Sequence, residues 1–239
     1  MSALLEDQKA LVPRPSLIFD VGMQHGDTTK EYLDAFPRAK VFGFEPEREN
    51  FARSQALLSS YGNRVCTINA ALSDRSGMEV LNVNSHDGTH SLFEIGDSKF
   101  FDGPVNTVAR TEVQAIALDD FCVQNSVSRI DILKMDIQGA ELKALRGGDR
   151  LLRDGKIGLL ALEVEFHRLY DGQPLFHDVA SFLNEVGYQF HRLYDLRYIN
   201  GALSWADAIF LPAAHFAPPE PFWQRFGRVV RTAGRRAAE

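Results

Sequence analysis

Leu17-Ile18-Phe19-Asp20-Val21-Gly22-Met23-Gln24-His25-Gly26 is the stretch that decides the reading of this chain. An apolar run ends in an acid and then in two glycines, with Asp27-Thr28-Thr29 behind them. That order reads as a buried strand over Leu17–Val21, a tight turn, and a helix that Thr28 and Thr29 open. Glycine at Gly22 and Gly26 lets the backbone turn sharply and approach a ligand with no Cβ in the way. Asp20 falls at the carboxyl end of the first strand, where open α/β sheets place their ligands.

Working outward, a helix over Thr28–Phe36 is stopped by Pro37, and Lys40–Phe44 is a second buried strand ending in Glu45-Pro46. A helix over Arg48–Ser60 and a third strand over Val65–Ala71 follow. The alternation then breaks. Two β-like runs, Met78–Val83 and Val113–Leu118, flank a polar segment, Asn84–Arg110, which is too long for an ordinary connection and reads as an acceptor-side loop. Alternation resumes with a short helix over Asp119–Asn125, a fourth strand over Ile130–Asp136, and a helix over Ala140–Arg153. Ile157–Val164 is a fifth strand, apolar enough to be buried on both faces. A helix over Val179–Val186 ends at Gly187, and Tyr188–Tyr194 and Trp205–Leu211 pair around an Asn200-Gly201 turn. The sum is an α/β, Rossmann-like sandwich: a mostly parallel seven-stranded sheet, a β insertion after the third strand and a C-terminal antiparallel hairpin.

The 239 residues suffice for one sizeable core, and three segments are expected. Residues 1–16 form an N-terminal extension whose amphipathic Ala3–Leu11 is stopped by Pro13-Arg14-Pro15. Residues 17–212 form the main α/β domain. Residues 213–239 form a tail in which Pro218-Pro219-Glu220-Pro221 precedes Phe222-Trp223 and Arg225, Arg228, Arg231, Arg235 and Arg236. The tail reads as a solvated segment or as a basic amphipathic helix making weak contact with a membrane surface. A net charge of -6 speaks against nucleic acid as a partner. Cys66 and Cys122 read as free thiols of a reducing compartment. With no signal leader and no apolar run long enough for a membrane span, a cytoplasmic protein is expected.

Two kinds of ligand suit a β-turn-α unit followed by an acid after the second strand. A dinucleotide asks for G-x-G-x-x-G to cradle its pyrophosphate, and this chain has Asp20 where the first glycine of that fingerprint would stand. A nicotinamide-dependent oxidoreductase is therefore the weaker reading. S-adenosylmethionine has no phosphate, but it carries an amino group, a sulfonium and a ribose. Asp20 suits its cationic side, Gly22 and Gly26 suit close approach, and Glu45 can accept both ribose hydroxyls. Asn69 and Ala71, at the end of the third strand, are expected beside the adenine.

At this point the sequence resembles the FkbM-type S-adenosylmethionine-dependent methyltransferases. The resemblance rests on Asp20-Val21-Gly22 with Gly26, on Gly43-Phe44-Glu45-Pro46, and on Leu118-Asp119-Asp120-Phe121. Its most specific part is Lys134-Met135-Asp136-Ile137-Gln138-Gly139-Ala140-Glu141, continued by Leu142, Leu145, Gly147 and Leu162-Glu163-Val164, so it covers roughly residues 16–212. Two positions depart from the family pattern. Met23-Gln24 replaces the usual Ala-Asn, and Gln138 replaces a glutamate. The resemblance implies a class I methyltransferase fold and methyl transfer to a hydroxyl, typically on a sugar, a glycan or glycolipid, or a small natural product. The two glutamines keep open a second reading, a cofactor-binding or scaffold protein without catalysis.

A hydroxyl is a poor nucleophile, so an acid–base group near the reacting methyl is expected. Asp136, at the end of the fourth strand, is the first candidate. Glu163, Glu165 and His167 alternate, so an extended strand would aim them one way. Glu163 and His167 are the further catalytic candidates, and Glu163, Glu165 and His167 together with Asp136 could hold a divalent metal. Glu141 reads as a ligand or a first-turn acid, and His86 and His90 read as solvated loop histidines.

Overall fold

The opening strand and its turn set the whole architecture, described for residues 2–96 and 100–216 of a computed structural model. Strand β1 (Leu17–Val21) lies inside a seven-stranded sheet, next to its central strand, and pairs in parallel with β2 (Lys40–Phe44) on one side and that central strand, β7 (Ile132–Met135), on the other. Beyond β2 lies β3 (Val65–Ile68). Beyond β7 lie β8 (Leu160–Glu165), β10 (Ala202–Pro212) and finally β9 (Tyr188–Ile199). Only β10 breaks the parallel arrangement, running antiparallel to both β8 and β9. Chain order therefore reverses between β1 and β7, and such a switch point opens a crevice at the carboxyl ends of those two strands.

Helices α1 (Ala3–Leu11), α2 (Asp27–Ala35) and α3 (Arg48–Leu58) come from the first half of the chain, and α4 (Leu118–Gln124), α5 (Glu141–Arg146), α6 (Asp149–Arg153) and α7 (Phe176–Glu185) from the second. Strand alternation sends Phe19, Phe42 and Phe44 to one face, against Phe121 of α4. Ile18, Val41 and Ile132 go to the other face, against Leu5 of α1 and Tyr32 and Leu33 of α2. Cys66 and Cys122 are free, and Cys122 is buried beneath the aromatic cluster. Among the described residues no helix is long and apolar enough to cross a membrane. The basic tail and its anticipated membrane contact lie outside the described residues.

Several expected boundaries shift for identifiable reasons. The third strand does not reach Ala71. It ends at Ile68, where the Ala70 amide turns back to the Ile68 carbonyl and Asn69 bonds to the carbonyls of Glu45 and Pro46. The chain then leaves the main sheet and forms β4 (Ala71–Ser73), the first strand of a separate three-stranded sheet with β5 (Gly77–Asn84) and β6 (Thr107–Ala117). This small sheet is the anticipated β insertion. The single helix expected over Ala140–Arg153 is two, α5 and α6, broken at Gly147-Gly148. A Cβ at Gly147 would stand 2.0 Å from the Ser73 carbonyl oxygen, so close packing against β4 requires glycine where a continuous helix would not favour it. The closing hairpin is longer than expected, with Asn200 and Gly201 both at positive φ in its turn.

Candidate active site

Asp20 is fully buried. Its Oδ2 accepts a hydrogen bond from Thr29 Oγ1 at 2.6 Å, and its Oδ1 lies 3.3 Å from Lys134 Nζ. The same ammonium is 3.4 Å from the Gly22 carbonyl and 3.8 Å from Asp136 Oδ2. Burial works against the charge on Lys134, but Asp20 and then Asp136 hold its pKa above the ordinary lysine range. Gly22 has φ of 77°, and the Asp136 amide donates to the Val21 carbonyl at 3.0 Å, which brings the ends of β1 and β7 together. Asp20 thus holds the Gly22 turn from below and does not face the crevice. Gly26, at φ of 94°, starts α2 and packs against Ser54 and Leu58 of α3.

Above that turn lies a cleft lined by Gly22, Gln24, Glu45 and Asp136 and by apolar Phe44, Ala71, Leu72 and Ile137. Glu45 is 6% exposed; its Oε2 accepts from the Gln24 amide at 3.0 Å and its Oε1 from the Glu47 amide at 2.9 Å. Burial outweighs these bonds and pushes its pKa up to about 7. Gln24, where the family pattern has asparagine, sits at φ of 48° and keeps this amide aimed at Glu45. Asn69 is not on the wall of this cleft; it holds the Glu45-Pro46 backbone, leaving Ala70 and Ala71 to line it.

The segment between β5 and β6 folds back over the cleft. Asp87 is clasped there: Asn50 Nδ2 donates to its Oδ1 at 3.1 Å, and His25 Nε2 lies 2.9 Å from its Oδ2. His90 is no solvated loop histidine. It lines the cleft, and its Nδ1 accepts from the Asn84 amide at 3.1 Å. Burial lowers its pKa below the ordinary histidine value, so it is neutral at pH 7.

A second cleft adjoins the first, sharing Gly88, Asp136 and Gln138 with it. Its other walls include His86, Thr89, Asp102, Glu163, Phe101 and Trp205. Between the clefts the Gln138 side chain bridges two of the catalytic candidates. Its Nε2 donates to Asp136 Oδ1 at 3.0 Å and to Glu163 Oε2 at 2.7 Å. Burial, reinforced by the charges of Asp136 and Glu165, raises the pKa of Glu163 well above the usual carboxylate range. His167 is elsewhere, its ring stacked on Phe100 with centroids 4.0 Å apart. Glu141 accepts from the Ile137 amide at 2.7 Å and closes the turn before α5. The metal-ligand set anticipated from Asp136, Glu163, Glu165 and His167 does not form. Among the described residues no group of three His, Cys, Asp or Glu side chains is placed to hold a metal.

Residues 20–190 match the family model described as the methyltransferase FkbM domain. The chain belongs to the FkbM methyltransferase family. It is an S-adenosylmethionine-dependent methyltransferase with the class I, Rossmann-like fold. The 2-O-methyltransferase NoeI of Sinorhizobium fredii (strain NBRC 101917 / NGR234) is 28% identical to it over 197 residues, covering 72% of this chain and 77% of NoeI. Among solved structures, magnesium protoporphyrin IX methyltransferase (ChlM) from Synechocystis PCC 6803 with bound SAM gives a TM-score of 0.48 at 13% identity, covering 87% of this chain and 77% of that one. Precorrin-6y C5,15-methyltransferase from Geobacter metallireducens GS-15 gives 0.49 at 9% identity, covering 87% and 86%.

The first cleft of this FkbM methyltransferase fits its cofactor. Glu45 would have carboxylate lone pairs left to accept ribose hydroxyls, and Phe44, Ala71, Leu72 and Ile137 would offer an apolar slot for a purine, whereas the bare Cα of Gly22 is turned to the Asp136 carbonyl. Sequence reasoning assigned no role to Lys134, Gln138 or Asp87. Lys134 and Gln138 stand within the Lys134–Glu141 block, which is the one signal that could have flagged them. For Asp87 no local signal exists.

Proposed function

We propose that this methyltransferase transfers a methyl group to a hydroxyl of a sugar unit, carried by a glycan, a glycolipid or a small glycosylated product. One observation carries the reading: Asp136 and Gln138 are walls of both clefts, so the cofactor cleft and a polar, aromatic-lined second cleft meet at a carboxylate. When bound, S-adenosylmethionine supplies a methyl already activated by its sulfonium. The protein's own work is to align a hydroxyl with that methyl, exclude water and take up the hydroxyl proton.

Asp136 is the group for the proton. Its side chain is 40% exposed, and with Oδ1 held by Gln138 its second oxygen, 3.8 Å from the Lys134 ammonium, has lone pairs to accept an incoming hydroxyl. Trp205 and Phe101 offer flat apolar surfaces for the C–H face of a sugar ring, while Asp102 and Thr89 offer polar groups for its remaining hydroxyls. NoeI, named a 2-O-methyltransferase, supports oxygen as the methylated atom.

The test is S-adenosylhomocysteine release from a panel of methyl glycosides, free sugars, phenols and simple alcohols. Turnover on glycosides above the rest is expected, and Asp136→Asn should cut it by about 100-fold while cofactor binding stays within a few-fold. Phenols as the preferred class, or full turnover by Asp136→Asn, would end this reading.

A further inference from the structure

The side chain of Gln138 is engaged on every polar atom. Its two N–H groups go to carboxylates from different strand ends, Asp136 after β7 and Glu163 in β8. Its Oε1 accepts from the Tyr170 hydroxyl at 2.8 Å, and that tyrosine is fully buried. The two carboxylates set which way the amide faces, because the flipped amide would turn its oxygen toward them, and the single Tyr170 hydroxyl proton is shared between Gln138 Oε1 and the Thr89 carbonyl at 3.0 Å. The backbone is held as firmly: φ is 56°, and the carbonyl accepts from Ser91 Oγ at 2.7 Å. Tyr170 and Ser91 belong to the two segments that wall the clefts from above, so one side chain joins all the parts that meet at the reacting position.

Two carboxylates within 3.0 Å of one atom repel each other when both are ionised, and a site relieves this with a proton, a cation or directed donors. The Gln138 nitrogen stands between the two carboxylates, 3.0 Å from Asp136 Oδ1 and 2.7 Å from Glu163 Oε2, and supplies there the positive end that a bridging cation would otherwise supply. A glutamate there would add a third carboxylate and remove both donors. We propose that Gln138 is a positioning residue of the methyl-transfer site, holding Asp136 and Glu163 in the place of a divalent cation. The inference rests on the methyltransferase reading of the two clefts. It makes the site one that is ordered without metal, with Asp136 held so that one oxygen faces the acceptor.

The test uses Mn²⁺ as the probe on the full chain. Manganese chloride is titrated into wild type, Gln138→Glu and the double variant Gln138→Glu/Glu163→Gln, with free Mn²⁺ followed by its paramagnetic signal. Gln138→Glu is expected to bind Mn²⁺ at least about tenfold more tightly than wild type, and the double variant is expected to lose that gain. Saturable binding by wild type that disappears in Glu163→Gln overturns the proposal, as does a folded Gln138→Glu with no gain. Should Gln138→Glu fail to fold, Gln138→Met gives an independent readout through carboxyl ¹³C titration, with the Glu163 signal assigned by its loss in Glu163→Gln. Loss of the donor should raise the Glu163 pKa by about one unit, and an unchanged titration overturns the proposal. S-adenosylhomocysteine binding by the same wild-type sample judges the cofactor cleft separately, so failure of either idea is told from failure of the other.

Discussion

Asp20 and Lys134 stand opposite each other in the parallel pairing of β1 with β7, and the lysine ammonium lies 3.3 Å from the Asp20 carboxylate. Both are buried, so neither charge has water to fall back on. Removing one partner strands the other, which costs far more than the intact pair contributes. Lys134→Met should therefore destabilise the protein by about 3–5 kcal/mol in urea unfolding, and Asp20→Asn/Lys134→Met should recover much of the loss. A single variant as stable as wild type would show that the pair does not carry the Gly22 turn.

Gly22 and Gly62 make a matched test of what a glycine is for. Both have positive φ, but a Cβ at Gly22 would lie 1.9 Å from the Asp136 carbonyl oxygen, whereas one at Gly62 meets nothing within 4 Å. Gly62→Ala should cost about 1–3 kcal/mol of backbone strain, its φ of 57° and ψ of -128° lying outside the left-handed helical region. Gly22→Ala should cost several-fold more, because β1 and β7 must separate to admit the methyl. Equal shifts in Tm would refute the distinction.

Glu45 gives the protein a pH dependence with a definite sign. Folding raises its pKa to about 7, above the unfolded value, so its contribution to stability is full in acid and is lost as pH rises through 7. The loss is roughly 3 kcal/mol. Bound ribose hydroxyls would donate to the ionised form, so S-adenosylhomocysteine affinity should move the opposite way, rising about tenfold from pH 6 to pH 8. Glu45→Gln should flatten both trends; calorimetric titrations across that range would show whether it does.

Asp87 ties the segment over the cofactor cleft to α3 through Asn50 and to the first turn through His25. The cluster is partly exposed, so its worth to global stability is small. Its effect should appear in kinetics. Asp87→Ala is expected to speed S-adenosylhomocysteine release by about fivefold with Tm almost unchanged, as for a loosened cover. Stopped-flow displacement measures this directly, and an unaltered off-rate would mean the segment is not a barrier to exit.

Much of the frame was legible without coordinates, and particular residues show why. Asp20-Val21-Gly22 marked the first strand end because a strand, a sharp turn and a helix start each leave a local signature. Glu45 was found because it follows the second strand directly. The apolar run before Val164 identified a strand buried on both sides. The break at Gly147-Gly148 was missed because an amphipathic pattern continues across it, and only β4 packing against Gly147 explains the stop.

The sequence by itself determined the order of strands and helices along the chain and the acids that stand at the strand ends. These depend on residues within a few positions of one another. Only the tertiary structure decided what those acids do. Asp20 turned inward to Lys134, Asn69 to the backbone after β2, and His167 to Phe100, while Gln138 joined Asp136 to Glu163 and Asp87 closed over the cleft. Each of these outcomes rests on a contact between segments distant in the chain, and the direction a side chain takes there is set by the packing around it, which no spacing in the sequence records.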